Sequence, residues 1–330
     1  MTMRFGLSGS LGGLESYGPD QVLARAQRME QLGFDCLWFN EEHFTQPGNE
    51  RRVLSPVVLA MAVAAATTTL RVGFSVLLVP LHHPLRLAEE IATLDVLSGG
   101  RVNFGVSRAN GDRYSIPFGY DADRDPGLHE CLDQILGYWS GETLTVDGVS
   151  YTVSPTPVQR PHPPIYVGAY RQQTLDWAAA RGYPIIAHGI QAPASLHRCL
   201  TSYSRSGGDL AGVPVGRFCY VGESDRQARK DAWPTVVQQA QRLHTIGLWR
   251  RGDLITTEED LEPERFYHET AIVGGPDTVA ARIAQLRDDY GVRRFNLLAS
   301  FFGLLPADLL TGSLELFATE VIPRLEKTAQ

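Results

Sequence analysis

Eight times along the chain, an apolar run short enough for a strand is followed by a stretch long and amphipathic enough for a helix, and this rhythm constrains the fold more than any other feature. The runs lie at 3–7, 36–40, 70–78, 102–106, 165–168, 185–187, 215–221 and 294–299, and they are rich in Val, Ile, Leu and Phe with little alternation. Strands of that kind are buried on both faces, as in parallel sheets whose crossovers are helices. Helices are expected at 19–32, 56–68, 84–97, 127–139, 173–181, 193–204, 225–243, 277–290 and 309–325. No break in composition marks a linker, so the expected fold is α/β, one (β/α)8 TIM barrel over residues 1–330. An open doubly wound sheet is the alternative, weakened because the GSLGG turn after the first strand does not read GxGxxG and nothing matches a P-loop.

Two segments interrupt the rhythm. Asp147-Gly148 between alternating runs is a hairpin signal, and with the proline-rich QRPHPP it marks an insertion of about 141–164. The polar, weakly periodic stretch of about 245–268 is longer than an ordinary connection, which suggests a mobile lid.

Composition removes several classes of function. A net charge of −7 with a pI near 5.7 offers no basic stripe for a phosphate backbone, so no nucleic-acid partner is expected. MTMRFGLSGS lacks the pattern of a signal peptide, and no apolar run reaches the roughly 18 residues of a membrane helix. A cytoplasmic protein without a membrane partner is the expectation. Cys36, Cys131, Cys199 and Cys219 show neither CxxC nor zinc-like spacing and read as free, buried thiols.

Chemistry in a parallel α/β protein gathers at the carboxyl ends of the strands. There the apolar run 36–39 gives way to Glu41, Glu42 and His43 without a spacer. Other strand exits carry Ser75, Ser107-Arg108, Tyr170-Arg171, His188 and Ser300. The guanidiniums of Arg108 and Arg171 suit phosphate oxygens, and Gln172, Gln173 and Thr174 offer amides and a hydroxyl at a helix start. Each arginine alone reads equally well as a salt-bridged or solvated side chain; together they favour a phosphate-bearing cofactor. His82-His83-Pro84 could suggest a metal, but adjacent histidines ahead of a helix more often cap it or line a pocket, and no metal is expected.

These residues resemble the bacterial luciferase-like flavin monooxygenases nearly end to end. GFDCLWFNEEHFTQPG is similar to the family's GFD-x-x-W-x-x-E-H-H-F segment, and RVGFSVLLVPLHHPLRLAEEIATLDVLSGGRVNFGVSRA to its third-to-fourth strand block. PIYVGAYRQQTLDWAAARGYPII resembles its fifth-to-sixth strand block, and VGGPDTVAARI its last βα unit. The resemblance implies reduced FMN (FMNH2) as cofactor and O2 as co-substrate. The reaction it implies is oxidation of a small organic substrate through a peroxyflavin, with the flavin supplied by a separate reductase. It matches Arg108 to a phosphate-contacting arginine, Thr174 to a phosphate-binding threonine and Ser107 to a position beside the flavin ring. Ala169, Tyr170 and Arg171 fall in the same cofactor segment, although Arg171 stands where luciferase has serine. Ser75 and Val76 fall where the family has a non-prolyl cis peptide, and the alanine-rich 56–68 helix lies where the family dimerises, implying a homodimer.

The main departure is at the family's two adjacent histidines, where this chain has Glu42 and then His43. The acid/base residue is therefore His43, which needs little perturbation to work near neutrality, or Glu42 if burial raises its pKa. A deazaflavin-dependent hydride-transfer enzyme and a non-catalytic flavin-binding relative are the alternative readings.

Overall fold

The computed structural model describes residues 2–8, 19–44, 54–108, 112–121, 123 and 125–327. The GSLGG turn, residues 9–13, and the end of the GFDCLWFNEEHFTQPG segment, residues 45–48, fall outside them. In chain order the elements are β1 (Arg4–Ser8), α1 (Pro19–Gln31), β2 (Cys36–Phe39), α2 (Pro56–Ala66), β3 (Arg71–Phe74), β4 (Leu77–Leu78), α3 (Pro84–Ser98) and β5 (Val102–Ser107). Then come α4 (Asp112–Phe118), α5 (Leu128–Ser140), β6 (Thr143–Val146), β7 (Val149–Thr152), β8 (Ile165–Gly168), α6 (Gln172–Ala180), β9 (Ile185–Ile186) and α7 (Pro193–Arg205). The chain ends with β10 (Pro214–Arg217), β11 (Cys219–Val221), α8 (Asp225–Thr245), α9 (Pro263–Arg265), β12 (Ile272–Gly274), α10 (Pro276–Tyr290), β13 (Arg294–Leu297), α11 (Ala307–Leu316) and α12 (Ile322–Lys327). By contacts it divides into two compact units, Phe39–Gly168 and the remainder, Met1–Trp38 with Ala169–Gln330.

In the Phe39–Gly168 unit, β3, β5 and β8 lie parallel, with Val72 opposite Val102 and Phe104 opposite Ile165. The run 70–78 does not make one strand. It stops at Phe74, passes through a cis Ser75–Val76 peptide, and resumes as β4, with Leu77 opposite Val106. α3 ends where Gly99 takes a left-handed φ of 67° and returns its amide to Asp95 and Val96, a conformation that glycine adopts without a Cβ penalty. Arg101 then spends its guanidinium on the carbonyls of Ala64, Thr67 and Leu70, tying the end of α2 to the start of β3. β6 and β7 form the expected hairpin, with Asp147 and Gly148 at φ 50° and 76° as a primed turn requires.

In the other unit the parallel order is β2-β1-β13-β10, with Leu7 opposite both Leu37 and Leu297, and Val215 opposite Phe295. A bridge from Ala187 to Val215 sets β9 against β10. The run 215–221 also divides: β10 pairs with β13, and after Phe218 the chain changes partner, β11 pairing with β12. The Phe218 carbonyl accepts the Ile272 amide at that exchange. Two elements are additional to the expected rhythm: the strand β12, and the helix α4 between the run at 102–106 and the helix expected at 127–139. The last helix spans more than 309–325, as α11, a π turn Phe317–Val321 and α12. All four cysteines are free and buried, and among the described residues no helix is long and apolar enough to cross a membrane.

Candidate active site

Beyond β2 the chain stays extended alongside the cis peptide. Ser75 N donates to Phe39 O at 2.8 Å, and Glu41 N to Val76 O at 3.1 Å. Extended backbone brings side chains two positions apart to the same side, which groups Glu41 with His43. The Glu41 side chain keeps only 1% of its surface exposed. Its Oε1 lies 2.9 Å from His43 Nε2 and 2.9 Å from His82 Nε2, and its Oε2 accepts the Leu78 amide. His82 arrives on the Val79–Leu81 turn between β4 and α3; His83 occupies the N-cap of α3 without capping it.

Burial alone would raise the Glu41 carboxyl, but the hydrogen bond and charge of His82, the Leu78 amide and His43 outweigh it and hold the group below its usual range. An ionised carboxylate only accepts, so both imidazoles must present Nε2–H to it. Neutral His43 then has Nδ1 as its basic nitrogen. The His43 ring packs on Phe118, with centroids 4.6 Å apart, and on Tyr114 at 5.7 Å, so α4 supplies its aromatic wall. The two histidines touch one carboxylate oxygen directly, and among the described residues no group of His, Cys, Asp and Glu is arranged to hold a metal.

A cavity of about 1050 Å³ opens from this cluster. Glu41, Glu42, His43 and His82 line one end; the rest is a groove between α2 and α3, where Val58 is 69% exposed and Arg86, Glu89 and Glu90 form a charged rim. Of the two acids before His43, Glu41 is the one seen bonded to its Nε2, and Glu42, the other acid/base candidate, lines the same cavity.

The remaining expected residues divide between the two units. In Phe39–Gly168, Ser107 Oγ donates to Gly168 O at 3.1 Å. A Cβ on Gly168 would meet Val76 Cγ1 at 3.0 Å and Ser107 Cβ at 3.3 Å, so the backbone can approach the cis peptide there only without a side chain. Arg108 is half-buried and makes no hydrogen bond or ion pair among the described residues. Burial pushes the Tyr120 phenol up, and the Arg108 charge partly opposes this. Asn40 Oδ1, at the root of the loop, is buried without a hydrogen-bond partner.

In the other unit Ala169 is buried, and its carbonyl accepts the Cys199 thiol. Tyr170 is half-buried, and exposed Arg171 is the N-cap of α6, which has no side-chain cap. The amides of Thr174 and Leu175 turn back to Arg171 O, so Gln172 and Gln173 open the helix. His188 accepts the Ile190 amide on Nδ1 at 3.3 Å, and burial pushes it down to about 4. Ser300 is fully buried in a turn, accepting the Gly303 amide. Taken unit by unit, the Arg108 guanidinium and the shelf kept bare by Gly168 in the one, and the uncapped start of α6 in the other, each have chemistry that fits part of a phosphate-bearing cofactor with a flat ring.

The fold defines an α/β-barrel protein. A family model for luciferase-like monooxygenases matches residues 3–294. The chain belongs to that family. The alkanal monooxygenase alpha chain of Photorhabdus luminescens is 34% identical over 167 residues, 49% of this chain and 45% of that protein. Limonene 1,2-monooxygenase of Rhodococcus erythropolis is 26% identical over 331 residues, 92% of this chain and 80% of that protein. The chain matches about half the length of its first curated relatives. Among solved structures, the oxygenating constituent of 3,6-diketocamphane monooxygenase from the CAM plasmid of Pseudomonas putida, a type II Baeyer–Villiger monooxygenase in complex with FMN, superposes with a TM-score of 0.79 at 19% identity. That match covers 98% of this chain and 99% of the other, and it shows the shared fold.

Proposed function

We propose that this chain is the oxygenating component of a two-component monooxygenase in the cytoplasm, which takes reduced FMN from a separate reductase and places one atom of O2 in a small organic substrate, the other leaving as water. The observation that carries this reading is the buried Glu41 carboxylate holding the Nε2 edges of His43 and His82 at the end of the cavity. Bound reduced flavin would supply the two electrons that activate oxygen.

The chain's own residues bind, orient and move protons. Arg108 would hold the phosphate by charge, assisted by Thr174, Arg171 and the opening amides of α6. Ser75, Val76, Ser107, Ala169 and Tyr170 would line the ring side. His43 takes or returns a proton at Nδ1, and Glu41, accepting Nε2–H, fixes its tautomer and stabilises the charged ring. Glu42 remains the second candidate for this transfer. Phe44 and Leu54, both partly exposed, add apolar surface to the cavity lining, and Phe118 packs on the His43 ring. The groove between α2 and α3, apolar with a rim of both charges, suits a second copy of the chain.

The test is oxygen uptake with enzymatically regenerated reduced FMN and a panel of aldehydes and cyclic ketones under ¹⁸O2. One labelled oxygen per product molecule is expected. Reduced FMN that binds without consuming oxygen would favour a non-catalytic relative, and turnover only with a deazaflavin would favour hydride transfer.

A further inference from the structure

In the unit containing Ala169–Gln330, a second cavity of about 350 Å³ lies between α7 and α10. Arg217 from β10 and Arg282 from α10 both line it. Arg217 is 3% exposed, yet it forms no ion pair among the described residues. Its Nη1 donates to Gln191 O at 3.3 Å and Gly216 O at 3.1 Å, and its Nε and Nη2 have no partner among the described residues. Arg282 gives both terminal nitrogens to carbonyls, those of Ala271 and His268. Backbone carbonyls orient these groups without cancelling their charge.

The arrangement is costly unless an anion completes it. A buried charge without a counter-charge pays a desolvation penalty, and two guanidiniums near each other add repulsion. Burial first, then the like charge of Arg282, pulls Arg217 down to about 10. Two acids stand at the cavity, Glu269 and Asp289, and both side chains are solvent-exposed. Glu269 is already paired with Arg265 at 3.0 Å, and neither acid forms an ion pair with Arg217 or Arg282. The Nε–Nη2 edge left over on Arg217 is a planar two-donor fork that matches two oxygens of a phosphate or carboxylate.

We propose that the cavity between α7 and α10 is a binding site for a small oxyanion, seated on the Nε–Nη2 edge of Arg217 with Arg282 beside it. A ligand that binds only the folded state raises its melting temperature with a saturable concentration dependence. Melting of the full chain is therefore measured in sodium phosphate and sodium acetate against sodium chloride of equal ionic strength. A saturable rise beyond chloride is expected, with phosphate alone if the site reads phosphate and with acetate as well if it reads carboxylates. Arg217→Met, which replaces the buried charge with an apolar chain of similar length, should remove the response. Arg282→Gln should weaken it about tenfold or more, as expected when a hydrogen bond to a charged group is lost; it decides the matter if Arg217→Met does not fold. Arg108→Ala should keep the response, because that guanidinium belongs to the proposed flavin site. No saturable effect beyond chloride, or a response kept in the Arg217 and Arg282 variants but lost in Arg108→Ala, would overturn the assignment.

Discussion

Glu41 and His43 meet through a single contact of 2.9 Å between Oε1 and Nε2. Because the carboxylate is nearly sealed from solvent and also holds His82, the imidazole of His43 is fixed in position and in tautomer before any substrate arrives. The arrangement supports the proposal that His43 carries the proton and Glu41 positions it, with Glu42 as the competing candidate.

Replacing His43 by Ala should lower turnover by roughly 10² to 10⁴-fold, the usual worth of a positioned proton donor or acceptor, while leaving reduced-FMN affinity nearly unchanged. Glu41→Gln should lower turnover and alter the pH profile, because an amide can donate to an imidazole as well as accept from it and no longer specifies the tautomer. Glu42→Gln separates the two candidates: if it abolishes the pH-dependent limb and His43→Ala does not, the proton belongs to Glu42. Steady-state rates from pH 5 to 9 decide.

Stability should fall in two separate acid ranges. His188 is pushed down to about 4 by burial, against an ordinary value of about 6.5. Above 6.5 neither state binds the proton; between 6.5 and 4 only the unfolded chain does, so stability declines there as pH falls. At ~1.4 kcal/mol per pH unit the loss is about 3.5 kcal/mol at most, reduced because the ring keeps an accessible edge. Glu41 acts lower. Its depressed carboxyl contributes stability fully above about 4.3, and that contribution is lost as pH falls through its folded value. His188→Gln should flatten the melting curve only in the upper range and Glu41→Gln only in the lower; a uniform change in either variant would contradict the assignment.

The alternation of elements was legible because apolar runs such as 102–106 and 165–168 are buried on both faces and carry little ambiguity. What the chain hid was local or long-range. β12 has three residues that read as the lead-in to α10, and the run 215–221 gives no sign of exchanging partners at Phe218. α4 contains Pro117 and too few residues to display a period. At the site, matching by position drew attention to Glu42, whereas the period of two in extended backbone would have grouped Glu41 with His43. The contact from Glu41 to His82 spans 41 positions, and no local pattern reports it.

Arg108→Ala should weaken reduced FMN by roughly 1.5 to 3 kcal/mol, the range for a hydrogen bond to a charged group. The side chain has no ion pair among the described residues to lose, so the folded protein should melt at nearly the wild-type temperature. Anaerobic fluorescence titration gives the affinity, and an unchanged value would place the phosphate elsewhere.

Val58→Asp should break a dimer built on the α2–α3 groove. At 69% exposure the valine makes little contribution within one chain, so a charge there is tolerated by the monomer but desolvated at an apolar interface. Sedimentation should show a wild-type dimer and a variant monomer with unchanged circular dichroism; a wild-type monomer would remove the interface.

The expected lid of about 245–268 should move only over its first part. The later part is fastened: Leu254 O accepts the Ala192 amide at 2.9 Å, Ile255 and Phe266 are fully buried, and Arg229 pairs with Glu264. Asp260 Oδ2 takes the amides of Thr256 and Thr257 at 2.9 and 3.0 Å. Before these anchors, the Leu248–Arg251 turn is flanked by Gly247 and Gly252, both at positive φ. Glycines at both ends let this turn change direction at small steric cost. Trypsin should therefore cut at Arg250-Arg251 in preference to Arg265, and the cut should slow when reduced FMN and substrate are bound. Mass spectrometry of the first fragments tests this: cleavage first at Arg265 would mean that the later part opens, and equal rates with and without ligands would mean that the turn closes over nothing.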